Sequence, residues 1–203
     1  MRLFGRTALA AFALSAITVG AAHAATDPAA TINSFYAALR QTMERGPQLG
    51  AQGRFDALAP AVRQDFNLTS MTAMAVGPSW ATMSPEQRQQ VTDAFARYTI
   101  ATYADHFAKN DGTKLEVGAA KQMPYGTVVA TKIVQPGGDA TDVSYLLRRQ
   151  GNEWQVADIY LQGTISQIAN LRSQFSSVVS SGGAPALVAA LNRKTASLVP
   201  SAS

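Results

Sequence analysis

The chain of 203 residues contains no cysteine, which excludes disulfides, thiolate metal sites and cysteine nucleophiles together. Histidine is nearly as scarce. Of the two present, His23 falls in the N-terminal leader described below, which leaves His106. One histidine does not make a histidine-based metal centre, and Ser-His-Asp chemistry would have to run through that residue, so neither catalytic nor metal-ligating residues are expected. Charge is thin at 15% of residues, and no basic run exceeds two, at Arg148-Arg149 and Arg193-Lys194. Binding to a phosphate backbone needs a clustered basic patch, so no nucleic-acid partner is expected. Long apolar runs are also missing: none reaches the roughly 20 residues that span a bilayer.

The first residues carry Arg2 and Arg6, and the uncharged, apolar stretch from Thr7 to Ala22 leads into Ala22-His23-Ala24. A basic head, a short apolar run and a small-x-small site together have the layout of a cleavable secretory signal, so residues 1–24 are read as a signal peptide and the mature protein is expected outside the cytoplasm. Losing Arg2 and Arg6 and no acid lowers the formal charge from +4 to +2, which weakens the high pI as a sign of an acidic partner. The remainder, residues 25–199, suits one domain, with a disordered tail at 200–203.

Helical periodicity dominates the first half, about residues 25–112. Asp27-Pro28 is an N-cap followed by a first-turn proline, and Ile32, Phe35, Tyr36, Leu39 and Met43 recur at helical spacing until Gly46-Pro47. Further helices are predicted from about Phe55 to Phe66 and from about Thr69 to Val76. Ser84-Pro85-Glu86-Gln87 has the form of a capping box and opens a long helix to about Lys109. From Leu115 the period shortens to two. Strands are predicted there, at Gly126 to Val134, at Thr141 to Arg149 and at Glu153 to Leu161, filling about 113–162. Their short connections require antiparallel neighbours. Residues 163–199 hold two helices, Ser166 to about Ser180 and about Pro185 to Leu198, parted by Ser181-Gly182-Gly183.

The fold class is therefore α+β: a four-stranded antiparallel curved sheet packed with N-terminal and C-terminal helices, enclosing an apolar cavity. With Lys132 outward, Thr127, Val129, Thr131 and Ile133 turn inward, and Val143, Tyr145 and Leu147 share one face of the next strand. In the last strand Trp154 and Val156 lie on one parity and Ile159 and Leu161 on the other, which a bulge near Ala157-Asp158 would reconcile.

These residues also carry a resemblance. Gly77-Pro78-Ser79-Trp80, Ser84-Pro85-Glu86-Gln87, Phe95 and Tyr103, then Val143-Ser144-Tyr145-Leu146-Leu147, the Trp154-x-Val156-x-Asp158 series, Gly163-Thr164-Ile165-Ser166 and Arg172-Ser173-Gln174-Phe175 follow the order and spacing of the MlaC and toluene-tolerance family. The form Tyr160-Leu161-Gln162-Gly163-Thr164-Ile165-Ser166 is similar to its hopanoid-associated HpnM branch. The resemblance implies an NTF2-like sheet with a helical subdomain and a periplasmic carrier of phospholipid or hopanoid that needs no cofactor. It implies as partners an inner-membrane ABC transporter or MCE-type complex and an outer-membrane complex, or an RND-type hopanoid exporter. Diffusion between membranes suits a monomer.

A carrier holds its cargo by shape and apolar area, at about 0.8 kcal/mol per buried CH₂, and needs no hydrogen-bonding motif. The residues expected to line its cavity are Trp80, Tyr98, Tyr103, Val129, Val143, Tyr145, Ile159, Leu161 and Phe175; core packing is the alternative role for each. Met71, Met74 and Met83 offer an adaptable apolar surface, or ordinary core. Asp158 and Arg172 are expected either to fix the last strand to the following helix, as a salt bridge or a cap, or to place Arg172 against a headgroup or partner. Two other functions fit the same elements. One is an isomerase or dehydratase using Asp158 with Tyr125 or Tyr160; the other is a cargo-free adaptor with a collapsed core.

Overall fold

The computed structural model describes residues 27–200; the leader at 1–24 and residues 201–203 of the tail lie outside them. Helix α1 (Pro28–Glu44) starts where Asp27 Oδ1 accepts from the Ala29 amide at 3.0 Å. The Gly46-Pro47 pair that stops it also starts α2 (Gly46–Asp65): Arg45 closes one helix and opens the next, so α2 begins well before Phe55, with a break at Gly50. Asn67 caps α3 (Leu68–Val76), accepting from the Ser70 amide at 3.0 Å. A 3-10 segment over Gly77–Thr82 then leads to α4 (Pro85–His106), whose Ser84–Gln87 capping box is complete in both directions.

Four strands follow, β1 (Lys114–Met123), β2 (Gly126–Val134), β3 (Ala140–Gln150) and β4 (Glu153–Leu161). A fifth, β5 (Ile165–Ser166), corrects the expected four: two residues turn back to pair with Tyr160 and Leu161 before the last helix begins. The sheet is an unclosed antiparallel meander in chain order. In β4 the register slips at Ala157, since Leu147 pairs with Val156 while Leu146 pairs with Asp158. That bulge lets Val156, Ile159 and Leu161 all face the helices, as the parity argument required. The outer face is polar, with Lys132 and Asp142 4.0 Å apart and exposed.

Helix α5 (Gln167–Leu198) joins both expected C-terminal helices across a sharp bend at Gly183, whose φ of 63° suits glycine. It lies against α3 and α4, while α1 lies against β1, β2 and β4. Between these layers Phe35 packs edge-on against Phe66 and Tyr103, each at 4.9 Å between ring centroids, inside a continuous core. The α2–α3 junction is tied to the sheet by the Asn67 amide donating to the Val156 carbonyl at 2.9 Å.

Candidate binding pocket

Aromatic side chains of α1 and α4 fill the middle of the space between sheet and helices. Toward the C-terminal end of α4 the filling stops and a pocket of about 620 Å³ opens. Its sheet wall is three cross-strand neighbours deep: Ile133 beside Thr141, Val143 beside Leu161, and Tyr145 beside Ile159. Ile168 and Leu171 from the start of α5 close one side, and Phe95, Tyr98 and Tyr103 from α4, with Phe107 just after it, the other. Exposed polar residues edge the mouth: Asp105, His106, Lys109 and Asp111 from the end of α4 and the turn after it, Gln135 from the β2–β3 turn and Thr141 from the start of β3. The arrangement is an apolar slot with a wet, charged lip, which suits a long apolar molecule with a polar end.

Tyr145 lines the pocket, and behind it the buried Tyr36 belongs to the core. The Tyr36 hydroxyl lies 2.8 Å from Thr131 Oγ1, which itself donates to the Val143 carbonyl at 2.9 Å, so Tyr36 is the donor of the pair. Burial raises the pKa of Tyr36, Tyr103 and Tyr145, and they stay neutral phenols. Tyr145 packs edge-on to Phe35 at 6.4 Å and to Tyr36 at 5.9 Å, which fixes its ring against the core.

Of the nine residues expected to line a cavity, Tyr98, Tyr103, Val143, Tyr145, Ile159 and Leu161 meet at this pocket. Val129, Phe175 and Trp80 do not. Val129 and Phe175 are buried in the core, Val129 two positions below Thr131 on the part of the sheet that α1 covers. Trp80 sits in the 3-10 segment with the Arg88 guanidinium 5.7 Å from its ring centroid. Among the three methionines singled out, Met71 lines the pocket and Met83 is core. The polar lip carried no sequence signal, because charged residues at the end of an amphipathic helix look like any solvated turn.

Asp158 and Arg172 do not pair, which corrects the salt-bridge form of that expectation. Asp158 acts as the cap instead. Its carboxylate accepts from the Ile159 amide at 2.7 Å, the Ser166 hydroxyl at 2.6 Å and the Ile168 amide at 3.2 Å, while Ser166 Oγ accepts from the Ala169 amide at 3.0 Å. A charge with three donors needs no counter-ion. Arg172 is exposed one turn further along α5 and lies over Gly77, where an added Cβ would stand 2.9 Å from its Nε. Asp158, Tyr125 and Tyr160 are all outside the pocket lining, and Tyr125 is 52% exposed. Among the described residues no group of three or more His, Asp or Glu could hold a metal ion, and no helix is long and apolar enough to cross a membrane.

A family model described as MlaC protein matches residues 30–193. The fold is similar to the solved structure of a phospholipid-binding protein from Ralstonia solanacearum in complex with a phospholipid. The TM-score is 0.74 at 25% identity, covering 85% of this chain and 99% of that one. No curated protein matches the chain.

Proposed function

The chain belongs to the MlaC family, and from that premise we propose that it is a lipid carrier, not an enzyme, which holds the apolar part of a membrane lipid in the pocket while the polar head stays at the lip. The observation that carries this reading is the pocket itself: a lining that is mostly apolar, from sheet, α4 and α5, with its charged residues gathered at the exposed end of α4 and the turn after it. The Ralstonia protein, which covers nearly the same fold, is in complex with a phospholipid, which favours a phospholipid as cargo. At about 0.8 kcal/mol per CH₂, a chain of about 15 carbons gains about 12 kcal/mol over exposure to water, enough to hold it through transit without a specific polar contact.

The isomerase or dehydratase reading loses its acid–base pair, since the Asp158 oxygens are engaged at the start of α5 and neither tyrosine reaches the pocket. A cargo-free adaptor has no use for an open apolar slot. The signal-like leader supports a periplasmic site of action, between an inner-membrane complex of the ABC and MCE type and an outer-membrane complex. A rigid hopanoid is the finer alternative for the cargo, delivered in that case with an RND-type exporter.

The test is to purify the protein from a periplasm without detergent and compare native with denaturing mass spectra. A stoichiometric adduct released on denaturation is expected, and its mass separates phospholipid from hopanoid. Protein that arrives clean and stays clean after incubation with vesicles overturns the reading.

A further inference from the structure

Resting on the carrier reading, we infer that Arg54 is a positioning residue for the pocket mouth: from outside the lining it holds the end of α4 in place, and so sets how long a lipid stays bound. Arg54 projects from α2, is half-buried, and forms no ion pair among the described residues. Its hydrogen bonds go to main-chain carbonyls instead. Nε donates to that of Ala104 at 2.8 Å and Nη1 to that of Gly46 at 3.2 Å. Ala104 is buried in the last turn of α4, where carbonyls run out of helical donors, and a cation placed there also meets the negative end of the helix dipole. Gly46 is the first residue of α2. One forked guanidinium, serving two acceptors at once, therefore ties the end of α4 to the α1–α2 corner.

Two further contacts act on the same stretch. Gly46 lies so close to the Ala108 carbonyl that no side chain would fit between them, and the Asn110 amide donates to the Met43 carbonyl at 2.9 Å. The segment gripped in this way, Ala104 to Asn110, is the one that brings Asp105, His106, Phe107 and Lys109 to the pocket. Phe107 gives it an aromatic wall, stacked on Tyr103 at 6.1 Å between ring centroids. Removing the guanidinium leaves the Ala104 carbonyl buried without its donor, a cost that the last turn of a helix escapes by fraying into water. Fraying from Asp105 onward carries Phe107 away from the cargo and widens the mouth. A bound lipid then leaves faster.

The test loads the protein with a fluorescent phosphatidylethanolamine, mixes it with an excess of unlabelled phosphatidylcholine vesicles and follows release by stopped flow. Hydrogen exchange of the same proteins is read by mass spectrometry. Arg54→Ala is expected to release lipid at least about threefold faster than the natural protein, with faster amide exchange confined to the end of α4 and the turn after it. Arg54→Gln serves if Arg54→Ala does not fold. Asp27→Ala is the control: it removes the cap of α1 at the opposite end of that helix from the corner, and is expected to lower stability while releasing lipid at the natural rate. A release rate that rises by less than this, a matching rise in Asp27→Ala, or faster exchange spread over the whole chain overturns the inference and leaves the carrier reading standing. A natural protein that takes up no lipid removes the carrier reading and this inference with it.

Discussion

Asp65 closes α2 at the seam with β4, buried to 5% exposure, and its Oδ2 has no hydrogen-bond partner. Burial, reinforced by the Glu153 carboxylate, pushes its pKa from 3.8 up to about 6. A carboxyl that binds its proton more tightly when folded destabilises the fold wherever it is ionised. Well below pH 4 the group is protonated in both states and the penalty vanishes. It grows as pH rises through 4 to 6 and is complete above. A shift of about two units has a ceiling of about 3 kcal/mol; solvent screening of Glu153, which is exposed, reduces this to about 1.5 kcal/mol. Asp65→Asn is therefore expected to raise Tm by about 3–6 °C at pH 7.5, and to lose most of that advantage at pH 4. Thermal unfolding followed by circular dichroism at both values measures it. An Asn variant no more stable at pH 7.5, or one whose advantage is the same at pH 4, would refute the reasoning.

Val143→Arg is expected to abolish lipid adducts in native mass spectra while the far-UV spectrum stays unchanged, because the arginine stem fills the slot and its head reaches the wet lip near Thr141; retained lipid contradicts the placement of the cargo. Ser166→Ala removes the cap of α5 and one donor to Asp158, and should lower the unfolding free energy in urea by about 1–2 kcal/mol. Gly77→Ala should cost a similar amount, since φ is 73° and the new methyl meets Arg172. Combining it with Arg172→Ala leaves only the backbone term, so the double variant is expected to lose less than the two single losses together; strict additivity would contradict the contact.

Capping chemistry made the helix starts legible: Asp27-Pro28 and Ser84-Pro85-Glu86-Gln87 act through local hydrogen bonds that the sequence spells out. The bulge was legible because Val156 and Ile159, on opposite parities, both needed cover. Strand β5 was not, as two residues have no period, and Gly46-Pro47 read as a stop without showing that it is also a start. Within the pocket, alternation found the sheet wall, but it could not tell Val129 from Val143, because the position of α1 along the sheet decides which is core and which is lining. Asp158 and Arg172 were drawn together by motif density alone; three nearby donors satisfy Asp158 before any guanidinium is needed.

The most direct test of the central claim is to load the protein with a phospholipid carrying a photoreactive group near the end of its acyl chain, irradiate, and map the crosslinks. Label on Tyr103, Tyr145, Ile159 or Leu171, and none on the exposed groove between Arg63 and Arg149, is the predicted result. Label confined to that groove or spread over the surface would contradict the account.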